Sequence, residues 1–191
     1  MDLLESLGFG VALGFSLTVP PGPMNALIAG LSARSRRAGT ITGFGAMTSD
    51  GILAAVVFAL STAVDLRSLV RPIDAIGAVA LAYFGLRTLR RPPTDDEVPR
   101  DDVRSFSRAV VVGITNPFQV AWWFTAGLAF ARLGGAVLLA GLFGAVAIWV
   151  VVFPAAVFAG ARRYPAARRA IVLLSGAILL AFAVYFAVLA A

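Results

Sequence analysis

The segment Leu7–Ala33, LGFGVALGFSLTVPPGPMNALIAGLSA, carries no charged residue. It exceeds the ~20 residues that an α-helix needs to cross about 30 Å of hydrocarbon. Its middle, Pro20-Pro21-Gly22-Pro23-Met24-Asn25, cannot continue a regular helix. Proline lacks a backbone N–H and clashes with the preceding turn. Glu5 and Arg34 bracket the segment, and their midpoint falls at residues 19 to 20. The chain therefore predicts a membrane helix broken near the bilayer centre. Unpaired backbone at that depth is tolerated only when buried in protein or lining a wet cavity. A helix restarting at Met24 points its positive N-terminal end into that cavity, an end suited to a carboxylate. The competing reading is a kink that only bends the helix for packing.

Five more apolar segments follow, roughly Ala38–Ala63, Val70–Leu89, Phe106–Ala131, Gly134–Gly160 and Ala167–Ala190. Only 14% of the 191 residues are charged, against about a quarter in soluble domains. The expected fold is all-α, a polytopic integral membrane bundle of about six transmembrane helices. The long polar segment 91–104 holds Pro92, Pro93 and Pro99 and reads as a surface loop. It divides a single membrane transport domain, residues 1–191, into half-repeats of about 1–90 and 105–191. Each half has three helices, so two related halves in sequence would be inverted in the membrane. The acidic start, Met1-Asp2-Leu3-Leu4-Glu5, is unlike a signal n-region, and the first helix reads as retained.

All sixteen basic residues are arginines. Arg34, Arg36 and Arg37, then Arg87, Arg90, Arg91, Arg100, Arg104 and Arg108, then Arg162, Arg163, Arg168 and Arg169 share one predicted side. Only Arg67, Arg71 and Arg132 fall on the other. The positive-inside rule then puts the loop in the cytoplasm and both termini outside the cell membrane. Arginines at helix ends are membrane anchors, so the net charge of +6 does not argue for a nucleic-acid partner. The absence of Cys and His removes disulfides, thiol redox chemistry, Cys or His metal sites and His-dependent nucleophiles. No cofactor or metal is expected.

Two further features sit at the depth of the first break. Asn116-Pro117-Phe118-Gln119 lies in the fourth segment, whose brackets Arg108 and Arg132 have their midpoint at 120. Thr115, Asn116 and Gln119 are suited to satisfying freed carbonyls or bonding a substrate. Trp122 and Trp123 follow a turn later, where one walls a pocket or both pack against lipid. The other feature is Asp50, the only acid deep in any segment, with brackets Arg37 and Asp65 centred on 51. A charge at that depth costs about 2.5–3.5 kcal/mol on insertion scales. No basic residue lies deep enough to pair with it, so it is protonated, wet, or bound to a cation or to hydrogen-bond donors. Gly39, Gly43, Ala46 and Asp50 share a helical face of small residues, which turns Asp50 inward. Asp50 is expected either to titrate during transport and couple it to protons, or to accept bonds from the free N–H groups of the broken first helix. Gly141 and Gly144 suggest close packing in the fifth helix, and Pro154 a local kink. Tyr83, Gly85, Ser175 and Tyr185 read as packing or interfacial residues.

Pro21-Gly22-Pro23 followed by Asn25 resembles the opening motif of the lysine-exporter (LysE/RhtB) family of amino-acid efflux transporters. Arg36-Arg37-Ala38-Gly39, Gly45 and Asp50, Gly77-Ala78, Tyr83-Phe84-Gly85-Leu86-Arg87, Gly113 and Asn116-Pro117 extend the likeness along the chain. Helices 5 and 6 match weakly. The resemblance implies about six helices and export of amino acids or related small metabolites, driven by an ion gradient. Family members often have a basic residue after the Asn-Pro pair, where this chain has Phe118.

The combined expectation is a secondary exporter, an antiporter, of amino-acid-like solutes with protons as the coupling ion. Its partners are the solute and the lipid bilayer, with a homo-oligomer left open. The predicted pathway residues are Pro21, Gly22, Pro23, Met24, Asn25, Asn116, Pro117, Gln119 and Trp122, with Asp50 as the proton site. No catalytic residue is expected: one deep acid and no lysine give an enzyme neither paired carboxylates nor a Ser-Lys pair. The remaining alternatives are a non-transporting scaffold subunit, which would tolerate substitution at Asp50 and Asn116, and an inorganic-ion transporter.

Overall fold

A computed structural model of the chain describes residues 2–60, 67–90, 102–124 and 128–190. Among them it is all-helical: α1 (Leu3–Thr18), α2 (Pro23–Ser32), α3 (Arg36–Leu60), α4 (Arg67–Arg90), α5 (Asp102–Ile114), α6 (Pro117–Trp122), α7 (Leu128–Arg163) and α8 (Pro165–Ala190). Most of the predicted polar loop, with Arg91 and Arg100, lies outside the described residues, as do the side chains of Arg67, Arg71, Arg87, Arg132 and Arg168.

The first apolar segment is two helices. A capping box opens α1: Asp2 accepts from the Glu5 amide at 2.7 Å, and Glu5 accepts from the Asp2 amide at 3.0 Å. The helix stops at Thr18, and α2 restarts at an angle of 77° with Pro23 in its first turn. Proline fits there, because the first-turn N–H has no intrahelical acceptor in any case. The fourth segment breaks in the same way. α5 ends at Ile114, Asn116 caps α6, and Pro117 occupies the first position. Both breaks fall where the proline patterns put them.

Among the described residues, two helices are singly long and apolar enough to cross a bilayer: Arg36–Ala59, of mean hydropathy 1.5, and Gly135–Arg163, of mean hydropathy 2.7. The bent pair α1–α2 counts as a third when taken as one span. Large apolar side chains such as Val79, Leu174, Val184 and Val188 are exposed, while Ser49, Asp50, Asn116 and Gln119 are buried. That distribution suits a bundle whose solvent is lipid. α7 is interrupted at Gly135, whose φ of 55° is the only positive value among the described residues. This is where the predicted fourth and fifth segments part.

Glycines set how the helices pair. α1 runs parallel to α7: a Cβ on Gly10 would fall on the Leu138 carbonyl, one on Gly14 on the Leu142 carbonyl, and one on Gly141 on the Leu7 carbonyl. Close approach of this kind drives helix association where lipid removes the hydrophobic incentive. Gly144 is different, since a Cβ there would meet nothing within 4 Å. In the same parallel sense α5 lies along α3, with Gly45 against Phe106 and Ala109, and Gly113 against Ser49. The first half-helix of each chain half therefore packs on the second helix of the other half. α4 and α8 pair antiparallel, Gly85 meeting Leu180 and Gly176 meeting Leu89. At one end, Arg37 forms an ion pair with Asp102 that joins the starts of α3 and α5.

Candidate functional site

The two breaks and the middle of α3 meet around one cavity. Its volume is about 520 Å³ with the open mouth included. Thr18, Pro20, Gly22, Pro23, Met24 and Asn25 line it from the first break, Asp50 and Met47 from α3, Asn116, Phe118 and Gln119 from the second break, and Trp149 from α7. The three features that the sequence singles out thus meet laterally.

Asp50 is 4% exposed. Its Oδ1 accepts from Gln119 Nε2 at 2.7 Å and from Trp123 Nε1 at 2.8 Å. Both donors come from the second break and the turn after it, so side chains of the fourth segment hold the acid. No bond to Asp50 comes from the described backbone of the first helix. Gln119 also donates to Ser49 Oγ at 3.0 Å, and Ser49 in turn donates to the Ala46 carbonyl at 2.6 Å. Room for the Ser49 hydroxyl exists because position 113 is glycine; a Cβ there would overlap Ser49 Oγ. Trp123 is fully buried and stacks on Phe143 at 6.2 Å between centroids.

Asn25 spans the first break. Its Nδ2 donates to the Thr18 and Pro20 carbonyls, which the end of α1 leaves without helical partners. Its Oδ1 accepts from Trp149 Nε1 at 3.2 Å. The Gly22 cap has no side-chain bond to the first turn of α2, so amide groups of that turn are unclaimed beside the cavity. Asn116 closes the start of α6 through an Oδ1 bond from the Phe118 amide at 3.2 Å. Thr115 satisfies the Val111 carbonyl of the turn before the break, at 2.7 Å.

A model of the LysE type translocator family matches residues 15–190, nearly the whole chain. The chain belongs to that family. Its members are transporters. The chain is also similar to a protein of Bacillus subtilis (strain 168) named "Putative amino acid efflux protein YcgF", with 30% identity over 121 residues. That match covers 59% of this chain and 57% of the relative, so the chain spans just over half of that protein's length. No solved structure matches the chain.

In this family member, Gly22, Pro23, Met24, Asn25, Asp50, Asn116 and Gln119 line the cavity as a group. Pro21 is exposed and Pro117 buried, and neither lines it. Trp122 sits edge-on to Trp123 with centroids 5.3 Å apart, outside the lining. The indole that reaches the acid is Trp123. Sequence reasoning did not single out Trp149 or Ser49. The depth argument reaches Trp149, since the midpoint of Arg132 and Arg162 is 147. Ser49 carries no signal apart from being next to Asp50.

Proposed function

We propose that the protein is a secondary exporter of amino acids or closely related small metabolites across the cell membrane, coupled to protons by antiport. The observation that carries this reading is the buried carboxylate of Asp50 in a cavity built by two broken helices. Residues of both breaks line the cavity, and Asp50 is buried in its wall. The two breaks come from opposite halves of the chain. Each half sends its first half-helix onto the second helix of the other, and this exchange supports an inverted repeat with its site at the interface. In this reading the halves rock about the cavity, opening it to each side in turn, and Asp50 carries the proton. The arginine-rich side is cytoplasmic and both termini are outside, following the charge bias. The relative's name adds support for amino-acid efflux.

The test is efflux from proteoliposomes with a panel of labelled amino acids, with and without a pH gradient. Wild-type protein is expected to export at least one of them faster when the gradient is imposed. Asp50→Asn is expected to lose the gradient dependence. Efflux by Asp50→Asn with an unchanged gradient dependence would remove the coupling role, and silence across the panel would remove the exporter role.

A further inference from the structure

Building on the exporter reading, we propose that Asp50 Oδ2 is one seat used in turn by a proton and by the ammonium group of an α-amino acid with an apolar side chain. Both donors to Asp50 converge on Oδ1. Among the described residues no donor reaches Oδ2, although the side chain is buried and lines the cavity. Trp and the Gln amide nitrogen are donors only, so they hold Oδ1 as an acceptor in either protonation state. An incoming proton or ammonium is thereby directed to Oδ2. One oxygen cannot take both at once.

The rest of the cavity fits the remainder of such a molecule. In the first turn of α2 Pro23 has no N–H and the Ala26 amide is taken by the Gly22 carbonyl, which leaves the amides of Met24 and Asn25, both in the lining, for a carboxylate. Leu17, Ile28, Met47, Val146, Val150 and Phe118 supply apolar wall, so a second charge on the side chain would have no counter-ion. Among the described residues no other charged group lines the cavity with Asp50. Among the described side chains of α2, α5, α6 and α7, the charged ones are Asp102, Arg104, Arg108, Arg162 and Arg163. Asp102, Arg104, Arg162 and Arg163 sit near helix ends, and Arg108, midway along α5, lies over the Phe84 ring. On the loading side the ammonium displaces the proton from Oδ2 to water. On the release side a proton from water takes Oδ2 as the amino acid leaves. Gln119 and Trp123 act as positioning residues.

Leucine binding to the purified full-length protein, measured by titration calorimetry across pH, tests this. If the seat is shared, acidification weakens leucine binding, with a limiting slope of about tenfold per pH unit, and binding releases a proton into weak buffer. The analogue 4-methylpentanoate, which lacks the ammonium, is expected to bind at least about tenfold more weakly and release no proton. Asp50→Asn is expected to lose the slope. Trp123→Phe, which takes one donor from Oδ1, is expected to shift the midpoint of the pH profile and keep its slope; a packing role alone leaves the midpoint in place. Should Asp50→Asn not fold, proton release by the wild-type protein decides. A flat pH profile, equal binding of the analogue, or no leucine binding would each overturn the proposal. If leucine fails while another panel member is exported, the exporter reading survives; silence of the whole panel removes that reading as well.

Discussion

The two breaks share a design and differ in what they hold. In each, proline opens the second half-helix and an amide side chain follows two residues later: Asn25 after Pro23, and Gln119 after Pro117. The first break is wide, with residues 19 to 22 outside both helices. It frees carbonyls at Thr18 and Pro20, and Asn25 is taken up in bonding them. The second break is narrow, only residues 115 and 116. Its backbone stays partly paired, with the Thr115 amide on the Val111 carbonyl and the Asn116 amide on the Gly113 carbonyl. Gln119 is therefore released from repair and reaches across to Asp50. The amide side chain of one break bonds its own backbone, and that of the other bonds the acid.

Substitutions separate these tasks. The largest effect is expected at Gln119→Leu, which strips Asp50 of one donor and Ser49 of its link. Losing a buried bond to a charged group costs about 1–3 kcal/mol, or about 5- to 160-fold in transport rate if that loss falls on the working state. Initial-rate efflux in proteoliposomes reads it. Next is Gly113→Ala, whose methyl group overlaps the Ser49 hydroxyl. A destabilisation of about 1–3 kcal/mol is expected for overpacking of this kind, read as a lower melting temperature in detergent. Efflux should fall with it only if Ser49 positions Gln119. Asn25→Ala leaves two carbonyls of the wide break without their donor. It should lower stability by about 1–2 kcal/mol, and proteoliposomes should keep the pH-gradient dependence that Gln119→Leu weakens. A loss of that dependence in Asn25→Ala would erase the division between the breaks. The smallest effect is expected for Trp149→Phe. It removes the 3.2 Å bond to Asn25 while a ring remains to stack near Phe153. Less than about 1 kcal/mol of stability should be lost.

Much of this architecture is written locally. A proline and glycine run announces the first break, and Asn116-Pro117, a cap residue before a first-turn proline, marks the second. Asp50 stands out because a charge at mid-depth is costly. Counting between charged brackets gives depth, which is one coordinate. The lateral coordinates come from helix pairing, and that depends on residues that leave little trace in the sequence. Gly141 and Gly144 look alike in a sequence, yet only Gly141 meets a backbone. Trp122 and Trp123 are neighbours, and helical rotation alone gives the acid to Trp123. Trp149 lies in a long apolar run where a tryptophan reads as lipid-facing, and only the position of Asn25 across the cavity gives it a partner.

The parallel pairing of α1 with α7 has a bearing on biogenesis. Leu138 follows Gly10 by about two thirds of the chain. At synthesis rates of about 5–20 residues per second, that separation lasts on the order of ten seconds. During this interval the glycine face of the first half-helix has been made and its mate has not. The broken helix therefore inserts before its dock exists, and the last third of translation closes the bundle around a segment that has waited in the bilayer.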